Sequence, residues 1–141
     1  MIQSNVNSQR HPAAGALWTA RVIGLLTVLF LIFDAVGKFL KPQPVVVAFA
    51  RLGLPISLAP TIGTLLLILV VLYVVRKTRV LAAVLLTGYL GGAIAVNLRA
   101  GDPAFETLFP AIVGLLVWIP PYLLDGRVRS LVPVVTESQV R

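Results

Sequence analysis

The sequence contains no cysteine, so disulfides, thiolate catalysis and iron–sulfur ligation are excluded within the chain. It has one histidine, His11, and one methionine, Met1, and both fall in the polar first stretch. Haem therefore lacks its commonest axial ligands here, and copper or zinc lacks imidazole and sulfur. Charge is scarce as well. Charged residues make up 12% of the chain, against about 25% in an ordinary soluble domain. Only 5 residues are Asp or Glu, against 12 Lys or Arg.

What is abundant is apolar surface. Hydrophobic residues reach 58% and the mean hydropathy is +0.97. A water-soluble core of 141 residues cannot hide that much. A bilayer removes the conflict. The net charge of +7 could suggest nucleic acid. The basic residues, however, sit at the ends of apolar runs and not along one face. That placement suits anionic headgroups and topology control, not nucleic acid.

The predicted architecture is an all-α, four-transmembrane-helix bundle with spans at about 22–40, 56–75, 80–98 and 107–124. At ~1.5 Å per residue, a span of about 20 residues crosses the ~30 Å hydrocarbon layer. A polar, disordered tail is expected at 1–20, the membrane domain at 21–126 and a second tail at 127–141. The first apolar run is too long for a secretory signal, and no small-residue cleavage site follows it. Between the first two spans, Val45, Phe49 and Leu52 recur at helical spacing, with Pro44 to start a short interfacial helix and Gly53 to stop it. Pro120 and Pro121 are expected to bend or end the fourth helix.

Two polar clusters stand out. Asp34 and Lys38 share a helix face at i, i+4, inside a span, where ionisable groups turn toward a cavity or each other. The bland alternative is a structural pair with Lys38 reaching to the headgroups. Asn97, Arg99 and Asp102 lie at the same end of the bundle, on and beyond the third span. Together these five are the candidate ligand or proton-relay residues. Glu106, nearby, reads as a solvated loop residue. Gly88, Gly91 and Gly92 are expected to pack closely against another helix, within the chain or across a homo-oligomer. Trp18, Tyr73, Trp118 and Tyr122 are expected as interfacial anchors. No nucleophile–base pair or metal constellation is visible, so there are no catalytic or metal candidates.

The run Phe33-Asp34-Ala35-Val36-Gly37-Lys38-Phe39-Leu40-Lys41-Pro42, followed by Leu52-Gly53-Leu54-Pro55, resembles the opening hairpin of the DoxX-like family. Leu85 to Ala93, Leu98-Arg99-Ala100-Gly101-Asp102-Pro103 and Leu108-Phe109-Pro110 through Asp125 extend the likeness over roughly 20–133. The resemblance implies a small four-helix protein of the bacterial cytoplasmic membrane. Some members are associated with quinol-linked or thiosulfate-oxidising complexes, others with oxidative-stress assemblies. Asn97 departs from the pattern, because related sequences often carry a histidine there, and asparagine cannot titrate.

The leading expectation is an accessory or anchoring subunit of a quinone-linked oxidoreductase or oxidative-stress complex. Such a chain holds no cofactor of its own, with quinone as the candidate ligand. The alternatives are a small-molecule or proton transporter using Asp34 and Lys38, and a purely structural membrane protein.

Orientation follows from Lys and Arg placement. One side receives Arg10, Arg21, Arg76, Lys77, Arg79, Arg127, Arg129 and Arg141, and the other Lys38, Lys41, Arg51 and Arg99. That asymmetry predicts both termini in the cytoplasm. Single-cysteine variants Ser8→Cys and Ser138→Cys should resist an impermeant thiol reagent in intact cells and react after permeabilisation. Labelling of intact cells would reverse the assignment.

Overall fold

The computed structural model describes residues 14–126 and 128. Its elements are α1 (Ala14–Leu40), α2 (Gln43–Arg51), a 3-10 turn (Ile56–Leu58), α3 (Ala59–Val74), α4 (Arg79–Ala100) and α5 (Ala104–Leu124). Among the described residues four helices are long and apolar enough to cross a membrane: α1, α3 with its preceding 3-10 turn, α4 and α5. The chain is a multi-pass membrane protein. α1 begins at Ala14, inside the stretch expected as tail, so Arg21 lies within the helix and not at its mouth. The rest of that stretch and most of the expected C-terminal tail lie outside the described residues.

The four long helices form a ring in the order α1, α3, α4, α5, with α1 and α4 across the diagonal. Each turns a narrow stripe inward. On α1 the stripe is Ala20, Thr27, Leu31 and Ala35, and on α4 it is Ala82, Ala83, Leu86 and Leu90. The outward faces stay apolar, with Leu25, Phe33, Val71 and Leu115 all exposed. A helix apolar all round belongs in lipid. There the inner positions are selected for close approach, which explains the small residues among them.

The closest approach is between α1 and α3, at Gly63. A Cβ on Gly63 would stand 3.1 Å from the Ala35 carbonyl oxygen, the Lys38 Cβ and the Phe39 ring. Gly24 does the same service between α1 and α5, where a Cβ would meet the Pro120 ring at 3.2 Å. By contrast, nothing lies within 4 Å of the Cβ positions of Gly88, Gly91 and Gly92. The expected close packing of that stripe within the chain is therefore corrected: the space at these three positions is open and no neighbouring helix fills it.

The prolines of α5 do not end it. The helix continues to Leu124 with Pro110, Pro120 and Pro121 inside. A proline lacks the N–H that would bond the carbonyl four residues earlier, and lipid offers no substitute donor. For two of the three, a neighbouring helix supplies one. Pro121 frees Val117 O, and the Tyr73 hydroxyl donates to it at 2.7 Å from α3. Pro110 frees Glu106 O, and Asn97 Nδ2 donates to it at 2.9 Å from α4. Tyr73 is thus a core residue, only 2% exposed, and not the interfacial anchor expected of it. Trp118 is half-buried, and its indole N–H donates to Thr87 Oγ1 at 2.9 Å in an exposed contact between α5 and α4.

Gly63→Val should lower stability by ~1–3 kcal/mol through overpacking, measured by thermal unfolding in detergent. Gly88→Leu should leave the melting of the isolated chain unchanged. A loss at Gly88 would show that a second molecule packs there.

Candidate ligand cavity at the α2 end of the bundle

Both turns at this end of the bundle are built by glycine. Gly53 (φ 67°) and Gly101 (φ 73°) take the left-handed conformation that ends α2 and α4. In each, paired backbone bonds close the helix: Leu54 N to Phe49 O with Gly53 N to Ala50 O, and Asp102 N to Asn97 O with Gly101 N to Leu98 O. This Schellman geometry satisfies carbonyls that would otherwise face the interface unpaired. α1 stops differently. Lys41 (φ 49°) is left-handed and Pro42 follows, which turns the chain into α2.

α2 is then pinned across the bundle end. Arg51 Nε reaches Asp102 Oδ1 at 3.1 Å. Its guanidinium also makes a two-pronged pair with Glu106, Nη1 to Oε1 at 3.1 Å and Nη2 to Oε2. In return, Arg99 Nη2 donates to Leu52 O at 2.9 Å. The Glu106 hydrogen bond raises the Arg51 pKa above its ordinary value; burial opposes this and the Asp102 charge adds to it. Glu106 is therefore part of a clamp, not the solvated loop residue expected. Arg99 and Asp102, expected as ligand candidates, serve the same clamp. Asp102 has a side chain only 2% exposed, and its Oδ2 has no hydrogen-bond partner among the described residues.

Beneath α2 lies a cavity of about 420 Å³, within the ~300–1,000 Å³ range typical of small-molecule sites. Val45, Ala48 and Phe49 of α2 form its roof. Its polar lining consists of Asp34 and Lys38 from α1 and Tyr89 and Asn97 from α4. Those two helices are diagonal, so the polar groups meet across the bundle axis. The remaining wall is apolar. Between α1 and α5 that wall includes Phe30 and Phe109, in edge-to-face contact at 5.4 Å and 70°. Both rings are also more than a third exposed on the lipid side.

Lys38 Nζ lies 2.5 Å from Asp34 Oδ2. The lysine is the more buried partner, its side chain 13% exposed against 41% for the aspartate. A lone ammonium at that depth would be costly, and the aspartate one turn earlier offsets the cost. The Lys38 stem rests on Gly63, so the α1–α3 packing also sets where the ammonium stands.

Asp34, Lys38 and Asn97 thus share one cavity, while Arg99, Asp102, Gly88 and Gly91 do not line it. Gly92 does, through its lack of a side chain. Tyr89 was missed in the sequence reading. It lies eight residues before Asn97, two helical steps of four, and that spacing could have placed both on one side of α4. Arg51 was counted only as a loop charge, and its partners lie 51 and 55 residues away, beyond any local signal.

The Asn97–Glu106 contact is testable on its own. Asn97→Leu should cost ~1–3 kcal/mol by leaving Glu106 O unpaired. In a Pro110→Ala background the helix regains its own donor, and the same substitution should cost little. Equal losses in both backgrounds, measured by chemical unfolding in mixed micelles, would mean that Asn97 acts through another contact.

Comparison with known proteins adds one assignment. No curated protein sequence and no solved structure matches the chain. The sequence profile of one family does, over residues 13–120, which takes in all four long helices to within a turn of the end of α5. This protein belongs to the DoxX-like family.

Proposed function

We propose that the chain is a quinone-binding membrane subunit that serves an oxidoreductase or oxidative-stress complex. The observation that carries this reading is the cavity, which is apolar, open to only four polar side chains and roofed by an interfacial helix. A quinone head presents two carbonyl acceptors on a flat ring. Lys38, Tyr89 and Asn97 carry N–H or O–H donors on the cavity wall, and Phe30 and Phe109 offer aromatic surface. These residues fit such a head. A quinone would bring two-electron, two-proton redox chemistry. The chain's part is to bind it, orient it and keep water away.

Among the described residues no group of three or more His, Cys, Asp or Glu could hold a metal ion. In this reading the electrons reach the quinone from a partner protein. The Asp34–Lys38 pair in the cavity wall favours a second reading, transport of a proton or small molecule. Against it, fully buried Leu31, Leu66, Leu86 and Val117 occupy the axis below the cavity, and a path would require them to part.

The test is titration of the purified full chain with a short-tailed quinone, read as a rise in melting temperature. Stabilisation at a hundredfold excess over Kd should approach ~2.7 kcal/mol. The double variant Asp34→Leu with Lys38→Met removes both charges together, so it should fold while losing most of that response. Tyr89→Phe should weaken it. An unaltered response in all variants would place the quinone elsewhere. Quinone-independent solute uptake by proteoliposomes would favour the transport reading.

A further inference from the structure

A second cavity, of about 360 Å³, lies at the opposite end of the bundle from α2. Its wall combines apolar positions on α1 (Gly24, Leu25, Val28) and α5 (Pro120, Leu124) with two arginines, Arg21 and Arg79. Arg79 is held in place. Its Nε donates to Tyr73 O at 3.2 Å and its Nη2 to Val74 O at 3.4 Å, at the carbonyl end of α3. A guanidinium has five N–H donors, so this anchoring leaves several free to meet a ligand. Arg21 projects from α1 at the same level and is exposed. Among the described residues no acid lines the cavity. Asp125, after the last residue of α5, also takes part in an interaction.

The apolar part is made by omission. Gly24 meets the Pro120 ring closely, so α1 and α5 touch there with no side chain filling the surface above. Leu25 and Val74, flanking that surface, are strongly exposed and face lipid. A slot with two cations at its mouth, one anchored and one exposed, and an apolar floor is complementary to a molecule with an anionic head and a hydrocarbon tail. In a bilayer such molecules are present in the leaflet itself.

We propose that this slot is a specific site for one anionic phospholipid, its phosphate held by Arg21 and Arg79 and an acyl chain lying along Gly24, Leu25 and Leu124. The site is separate from the α2-roofed cavity, since no residue lines both. It would pin the ends of α1, α3 and α5 together on the headgroup side.

The experiment uses the full chain in neutral detergent, with retained lipid counted by native mass spectrometry. Phosphatidylglycerol and phosphatidylcholine of matched chains are offered in equal amounts. Phosphatidylglycerol should be preferred, and Arg21→Gln should reduce that preference about five-fold, as expected for one arginine at a headgroup. Arg76→Gln, a basic residue of the α3–α4 turn outside the slot, should leave it intact. Arg79→Gln also loosens the end of α3, so Arg21→Gln is the deciding variant. Equal retention of the two lipids would overturn the proposal, as would an Arg76→Gln effect matching that of Arg21→Gln. A second arm measures melting in inorganic phosphate without lipid. Stabilisation there equal to that by phosphatidylglycerol would mean that the site takes a free anion and not a lipid.

Discussion

A carbonyl that loses its helical partner inside a bilayer must find a donor from protein, because lipid supplies none. Two prolines in α5 create that need at Glu106 and Val117, and the bundle is arranged around meeting it. Tyr73 on α3 and Asn97 on α4 reach the two carbonyls near opposite ends of α5. The two contacts fix the rotation and height of α5 relative to both partners. Packing alone would specify these weakly, since every helix is apolar on all faces and lipid competes for any leucine. The remaining specificity comes from size. Ala35 meets Gly63, and Gly24 meets Pro120, where any larger residue would separate the helices.

That arrangement leaves the α2 end of the ring open, and α2 closes it. The short helix has no buried span of its own, with Phe49 its only fully buried residue. It is held instead by reciprocal arginines: Arg51 reaching to the α4–α5 turn and Arg99 reaching back to Leu52 O. Pairs on a wet surface contribute little individually. Here the two-pronged Arg51–Glu106 contact, the buried Asp102 and the Arg99–Leu52 bond bring together two cations, two acids and a backbone carbonyl.

The two cavities differ in chemistry as well as position. The one under α2 offers a balanced ion pair, a phenol and an amide within apolar walls, which suits a neutral ligand with hydrogen-bonding groups. The other is lined by two cations and, among the described residues, no acid, which suits an anion. Between them the core is filled mainly by aliphatic side chains, with Tyr73 among them. The two cavities share no lining residue. Family membership covers the framework that positions both.

Much of this framework was legible in the residues. Four apolar runs of membrane length, the short helix after Pro42, the stop at Gly53 and the Asp34–Lys38 register all depend on local periodicity and backbone chemistry, which the chain carries in order. The need for donors opposite Pro110 and Pro121 was legible too, since a proline in a span always frees a carbonyl. Which side chains would answer was not, because Asn97 and Tyr73 are brought there by helix rotation. The glycines show the same division. Gly88, Gly91 and Gly92 make the more conspicuous motif, yet the close contact falls on the isolated Gly63, because the face that a uniformly apolar helix turns inward is set by its neighbours. Arg51, Glu106 and Tyr89 entered the site for that reason alone. Sequence determined the elements and the polar groups they carry; the tertiary structure decided which groups meet, because in lipid the hydrophobic pattern no longer distinguishes inside from outside.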